Sequence, residues 1–449
     1  MPDKNIFCNA PWYELHIYWD GSLGFCCQEA HKLYFDDLST HYNVKNMTIK
    51  EWFDSEPMRK ARLNMLGHTP NSICFRCYHQ QTHGSTSRRH KSNQKSVIFT
   101  KTAFDSSYLQ SPGYTKFETS RSNQGAYDGM PIDIHIDLGN YCNLACKMCH
   151  PQASSLIASQ ELKWGNLDAK QYIGTDWTRD EGVWHRVMNE LANIPNLKNI
   201  HFMGGETLIT KRFEDFVDYM LAHERTDLHF SFVTNGTTFN TTLLNKLTRF
   251  KRVGIEVSIE TTTEHNAYQR QGTKTSEVLE NIQRYQSICN NSSITLTLRS
   301  APSSLTIGYY HTLLEYALDK QLLIKSNLCY SPDFLYAINL PTDVKQQYLK
   351  NYNSLSTKLN SINTNNDFNA SDPNNYGMSI KQELEMCQDL LSTTTPHNSE
   401  YMLKQMVDHC RRWDKVYNLN ARNLYPELAE VWEDRKSTRL NSSHVKRSR

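Results

Sequence analysis

At 449 residues the chain is longer than one hydrophobic core usually supports, so two or three domains are expected, one of them large enough to be an enzyme. Its 49 Lys and Arg nearly balance 47 Asp and Glu, which excludes a global field directed at nucleic acid or at an acidic membrane surface. No apolar run approaches membrane-spanning length and the opening MPDKNIFCNAPWY lacks a signal peptide's apolar core, so neither a membrane partner nor a secretory leader is expected, and the chain reads as cytoplasmic.

Twelve cysteines are many for a chain whose thiols stay reduced, so metal binding accounts for them better than disulfides do. Five fall in residues 8 to 77 and three within 142 to 149, while Cys289, Cys329, Cys387 and Cys410 stand singly and read as buried apolar side chains. Residues 1–80 mix cysteines with aromatics around one helix-like run, TIKEWFDSEPMRKARLNML, which suits a small metal-stapled domain. The stretch 81–130 opens with the polar, basic THGSTSRRHKSNQKS and reads as a solvated linker rather than a phosphate-binding strip.

Between 131 and 335 the pattern changes. IDIHIDL alternates apolar and polar residues as a half-buried strand does, and strand candidates follow at LKNIHFMGG, LHFSFVTNG, RVGIEVSIE, ITLTLRSAP and LIKSNLCYS. Helix-like stretches separate them, among them VWHRVMNELANI, FEDFVDYMLAHE and SEVLENIQRYQSI. Alternation of this kind predicts parallel βα units, and six of them predict an α/β partial barrel whose active site lies at the C-terminal strand ends. Residues 336–435 read as a helical extension interrupted by the Asn-rich loop SINTNNDFNASDPNNYG, and 436–449 as a foreign or disordered tail.

The first barrel strand runs into DLGNYCNLACKMCHP, with the spacing Cys142-x3-Cys146-x2-Cys149. Three thiolates can ligate three irons of a cubane and leave the fourth open to an exogenous ligand. Zinc is the alternative; it normally takes four protein ligands, and His150 could supply the fourth, although its adjacency to Cys149 makes good tetrahedral geometry difficult.

This motif resembles the signature of the radical S-adenosylmethionine (SAM) superfamily, found after the first strand of a partial (βα)6 barrel. The resemblance implies a 4Fe-4S cluster on Cys142, Cys146 and Cys149 that chelates SAM, and electron transfer that yields a 5'-deoxyadenosyl radical. It also implies SAM-contacting roles for Met148 near the adenine and for Gly204, Gly205 and Glu206 in FMGGET, where glycines allow close backbone approach and the carboxylate meets the SAM ammonium. Ser258 and Arg270 match residues that contact the SAM carboxylate, and Thr234 with Asn235 would lie near the ribose. Glu260 stands where the family more commonly has Asp, which leaves that carboxylate without an inherited role.

FCNAPWYELHIYWDGSLGFCC and ICFRCYHQQ resemble the twitch or SPASM auxiliary-cluster module, here placed before the barrel. That resemblance implies an auxiliary 4Fe-4S cluster on Cys8, Cys26, Cys74 and Cys77, with Cys26 aligning better than Cys27, although a zinc ribbon suits the same four cysteines. The implied activity is oxidoreductase-like hydrogen abstraction from a peptide or protein substrate, with a donor such as flavodoxin or ferredoxin. A saccharide or small metabolite, or a zinc-stabilised scaffold without catalysis, are the alternatives.

Overall fold

The computed structural model describes residues 6–27, 42–82, 87–93, 114–289, 292–361 and 379–433. The tail 436–449 and nearly all of the Asn-rich loop lie outside the described residues. All six predicted strand segments form strands: β3 (Asp133–Asp137), β5 (Asn199–Met203), β6 (His229–Thr234), β7 (Arg252–Ser258), β9 (Ile294–Ser300) and β10 (Leu323–Ser326). They lie parallel, side by side in chain order, with helices such as Lys211–Ala222 and Thr275–Cys289 between them, as βα crossovers require.

Two further strands come from the N-terminal region. β1 (Glu14–Ile17) pairs parallel with β3, and β2 (Leu23–Gly24) pairs antiparallel with β1, so the full order is β10-β9-β7-β6-β5-β3-β1-β2. The cysteine-rich region therefore shares a sheet with the barrel. A separate two-stranded ladder joins β4 (Ala145–Cys146) to β8 (Arg270–Gln271).

Strand alternation sorts the residues of this sheet. Ile134, Ile136, Ile200, Phe202, Phe230 and Phe232 are fully buried, and Phe202 meets Phe216 at 4.7 Å while Phe213 meets Phe232 at 4.9 Å between ring centroids. Burying each such ring stabilises the fold by roughly 1.5–3 kcal/mol, which makes this aromatic layer the main anchor of the crossover helices. The opposite face is polar: His16, His135, His201 and Ser231 stand in one register row across β1, β3, β5 and β6.

Within the stretch read as a solvated linker, two described pieces are helical, residues 88–93 and Tyr114–Ser122. The first is not solvated. Arg88 donates to Glu14 at 2.7 Å and lies 3.8 Å from Asp133, while Arg89 and Ser92 are buried. Local polarity cannot reveal that acids on β1 and β3 await those basic residues. Among the described residues no helix is long and apolar enough to cross a membrane. The lone cysteines behave as read, with Cys329, Cys387 and Cys410 buried and Cys289 partly so.

Candidate functional site

The β3 strand ends at Asp137, and the loop after it carries all three cysteines of the triplet. Cys146 is buried, and Cys142 and Cys149 are partly exposed. Burial pushes the Cys142 and Cys149 thiols up to about 12, and the neighbouring Cys146 adds to both shifts. The three sulfurs are thus close enough to feel one another, and as bare thiols they resist ionisation. Bound iron would reverse that preference, because a metal holds its thiolate ligands deprotonated.

The Gly-Gly-Glu turn packs directly on this loop. Gly205 has φ +58°, and a Cβ there would come 2.4 Å from the Tyr141 carbonyl oxygen, so only glycine fits so close to the cysteine loop. The next residue, Glu206, donates its amide to the same carbonyl at 2.7 Å. Its carboxylate collects the Thr234 hydroxyl at 2.6 Å, the Asn235 amide at 2.6 Å and the Leu208 amide at 3.1 Å. Burial still raises its pKa above the usual carboxylate range. Asn235 in turn donates to Asn143 at 2.8 Å, tying the third strand end back to the cysteine loop.

Arg270 donates twice to Glu260 Oε1, at 2.9 and 2.6 Å, and its guanidinium lies 4.0 Å from Cys146 Sγ. Glu260 is fully buried and also accepts from Ser300 at 2.8 Å and from the Ala301 amide at 2.7 Å. The carboxylate left without a role by the sequence is the anchor that aims Arg270 at the cysteine loop. Ser258 is buried at the end of β7, and the Met148 sulfur accepts a 3.4 Å contact from Gln269. Met148 sits in the cysteine loop, Gly204, Gly205, Glu206, Thr234, Asn235 and Ser258 lie at or just after the C-terminal ends of β5, β6 and β7, and Arg270 lies in β8, which pairs with the cysteine loop.

Three contributors escaped sequence reading. Lys147, between two cysteines, is fully buried, donates to the Tyr268 carbonyl at 2.6 Å and sits 3.6 Å over the Tyr268 ring. Trp413 and His409, from the C-terminal extension, hydrogen-bond carbonyls of the cysteine loop. Nothing in the local sequence ties residues so distant in the chain to that loop.

The N-terminal cysteines meet elsewhere. Cys8, Cys26, Cys74 and Cys77 line one cavity with Phe25, Met65, Tyr78 and Arg89. Cys27 does not line it. A hydrogen bond from Cys26, with Arg88 and His16 nearby, lowers its thiol below the ordinary cysteine range. Burial pushes Cys8 up to about 12 and raises Cys77 as well. Among the described residues no group of three or more His, Cys, Asp or Glu is arranged as around a single metal ion. Four thiols facing an apolar cavity beside one guanidinium are a donor set suited to a thiolate-ligated cluster, with Arg89 offsetting its negative charge.

Two family models match the chain: the radical SAM superfamily over residues 136–299 and the SPASM iron-sulfur cluster-binding domain over residues 8–78. No curated protein matches it in sequence. Among solved structures, anSMEcpe with bound AdoMet and the Cp18Cys peptide is 20% identical, over 51% of this chain and 62% of its own, with a TM-score of 0.37. Streptococcus suis SuiB bound to precursor peptide SuiA is 9% identical over 68% of this chain and 64% of its own, with a TM-score of 0.36. TsrM from Kitasatospora setae, a radical S-adenosylmethionine methyltransferase with cobalamin and a 4Fe-4S cluster, is 12% identical over 43% and 34%, with a TM-score of 0.32. The chain spans less than two thirds of the length of each of these structures.

Proposed function

We propose that this chain, which matches the radical SAM superfamily over residues 136–299 and the SPASM iron-sulfur domain over residues 8–78, is a radical SAM enzyme that removes hydrogen from a peptide or protein substrate at the mouth formed by the C-terminal ends of its barrel strands. When bound, the 4Fe-4S cluster and SAM together supply a 5'-deoxyadenosyl radical as the hydrogen acceptor. Cys142, Cys146 and Cys149 are the proposed ligands of the SAM-binding cluster. Glu206 is the proposed acceptor of the SAM ammonium, held in place by Thr234 and Asn235, and Arg270, aimed by Glu260, the proposed donor to the SAM carboxylate.

The observation that carries this reading is that the Arg270–Glu260 pair lies beside Cys146 while Glu206, gripped by three donors, packs on the same cysteine loop at Tyr141. A cation and an anion flanking one cysteine loop match the two charged ends of an amino acid. Cys8, Cys26, Cys74 and Cys77 are the proposed ligands of the auxiliary cluster, which would take up the electron left on an oxidised substrate. A peptide substrate is the choice that the SPASM domain favours, since the resemblance to that module implies peptide modification.

The test is anaerobic. Reconstituted protein given reductant and SAM is expected to release 5'-deoxyadenosine, and the Cys142→Ala, Cys146→Ala, Cys149→Ala protein none. Fully loaded protein that releases no deoxyadenosine would defeat the radical reading. Incubation with peptide libraries, read by mass loss of a hydrogen pair, tests the substrate class.

A further inference from the structure

The loop that carries the triplet has little secondary structure of its own. Only Ala145 and Cys146 belong to a strand, in a two-residue ladder with Arg270 and Gln271, extended by the Lys147 amide donating to the Gln269 carbonyl at 2.8 Å. So short a ladder cannot hold a backbone in place by itself. Cluster ligation nonetheless demands that each sulfur sit within a few tenths of an ångström of its position.

The C-terminal helix Ser399–Tyr417 supplies the missing contacts. Trp413 Nε1 donates to the Ala145 carbonyl at 2.9 Å, and His409 Nε2 meets the Lys147 carbonyl at 3.0 Å, so the helix grips the main chain immediately before and after Cys146. A carbonyl can only accept, so the His409 Nε2 carries the hydrogen. Burial lowers the His409 pKa to about 4 and keeps the ring neutral in that role. The two donors are themselves fixed. Trp413 is 2% exposed, with its ring 4.5 Å from His409 and 4.7 Å from Trp164 between centroids. A third tie comes from Asp414, which accepts from the Tyr268 hydroxyl at 2.9 Å and from the Ala421 amide at 2.8 Å, while the Tyr268 carbonyl holds Lys147 Nζ. Residues 409 and 413 are four apart and share one face of the helix, which accounts for one helix gripping both carbonyls, while Asp414 reaches Tyr268 from the adjoining flank.

We infer that the C-terminal extension is part of the cofactor site: Trp413 and His409 are positioning residues that fix the backbone on both sides of Cys146 and thereby the geometry of the SAM-binding cluster. Partners that orient metal ligands without touching the metal typically change metal affinity or activity 10–100-fold when removed. The inference rests on the reading that Cys142, Cys146 and Cys149 hold a cluster.

The test compares donors with rings. In full-length protein reconstituted anaerobically, His409→Phe keeps an aromatic ring and loses the hydrogen-bond donor, while His409→Gln loses the ring and keeps a donor of similar reach. Trp413→Phe removes the other donor. The readouts are chelator-driven iron loss from the SAM-binding cluster, its electron paramagnetic resonance signal with SAM, and its midpoint potential. Cys8→Ala, Cys26→Ala, Cys74→Ala and Cys77→Ala in the same background leave one cluster to observe. His409→Phe and Trp413→Phe are expected to speed iron loss about 10-fold or more and to alter the resonance signal, and His409→Gln to return both toward wild type. Unchanged iron loss, signal and potential in both His409→Phe and Trp413→Phe would overturn the inference, as would His409→Gln being as defective as His409→Phe. If Trp413→Phe fails to fold, the two His409 variants decide the matter alone. Full iron in the Cys142→Ala, Cys146→Ala, Cys149→Ala protein would instead overturn the underlying cluster reading.

Discussion

The two cysteine sites are held by different physical means. Around Cys142 to Cys149 the grip is polar: Glu206 with three donors, Arg270 on Glu260, Asn235 on Asn143, and two side chains of the C-terminal extension on the loop carbonyls. Around Cys8 to Cys77 it is largely apolar. Phe25, Met65 and Tyr78 line the cavity, and nearby Phe7, Trp12 and Phe117 pack edge to face or tilted at 4.9 to 5.9 Å. A site that must orient a charged small molecule needs donors and acceptors in fixed directions. A site that only encloses a fully ligated cluster needs four thiolates and a dry wall, which aromatic packing provides at low entropic cost.

The sharpest way to break this comparison is to remove one set of cysteines at a time. Alanine at Cys142, Cys146 and Cys149 should abolish deoxyadenosine release. Alanine at Cys8, Cys26, Cys74 and Cys77 should leave uncoupled SAM cleavage measurable and abolish substrate oxidation. If both sets abolish cleavage equally, the division of labour is wrong.

Second in size is the effect on SAM. Glu206→Ala and Arg270→Ala should each weaken SAM binding by roughly 10–100-fold, the worth of a charge-assisted hydrogen bond, with iron content unchanged, as equilibrium dialysis against labelled SAM would show. Glu260→Gln keeps the shape and removes the charge that aims Arg270, so a loss of about 10-fold is expected. SAM binding that ignores all three changes would place the cofactor elsewhere.

A finer test separates adjacent thiols. Cys26→Ala should cost the auxiliary site its iron, whereas Cys27→Ala should not, because only Cys26 faces the cavity. Equal iron counts in the two variants would contradict the assignment.

The last effect concerns the barrel alone. Against the burial that would raise it, Arg299 and Lys325 hold the Glu256 carboxyl down to about 2. A depressed carboxyl stabilises the fold above its ordinary pKa and loses that contribution as pH falls toward 2. Chemical denaturation of apo-protein should therefore show Glu256→Gln less stable by up to about 3 kcal/mol near neutral pH. The gap should narrow steadily below about pH 4.5. A gap that stays constant with pH would mean that the loss is one of packing rather than charge.

Much of this was legible because it is local. The strands announce themselves through alternation in IDIHIDL and its successors, and the cysteine spacing and the Gly-Gly-Glu turn are each read within a dozen residues. Glu260 and Arg270 are visible as residues, yet their pairing is not, since it depends on how the segment after β7 folds back. The basic run at 88–93 misleads for the same reason: its polarity suggests water, and only the sheet supplies Glu14 and Asp133 as partners.

By itself the sequence determined the βα architecture, the two groups of cysteines and the chemistry they can support, because strand periodicity and ligand spacing are short-range properties of a chain. Only the tertiary structure decided that β1 of the cysteine-rich region extends the barrel sheet and that Trp413 and His409 grip the loop around Cys146. Those are contacts between segments as many as 268 residues apart, and neither periodicity nor spacing carries information over such a separation; shape and hydrogen-bond complementarity in the folded chain do.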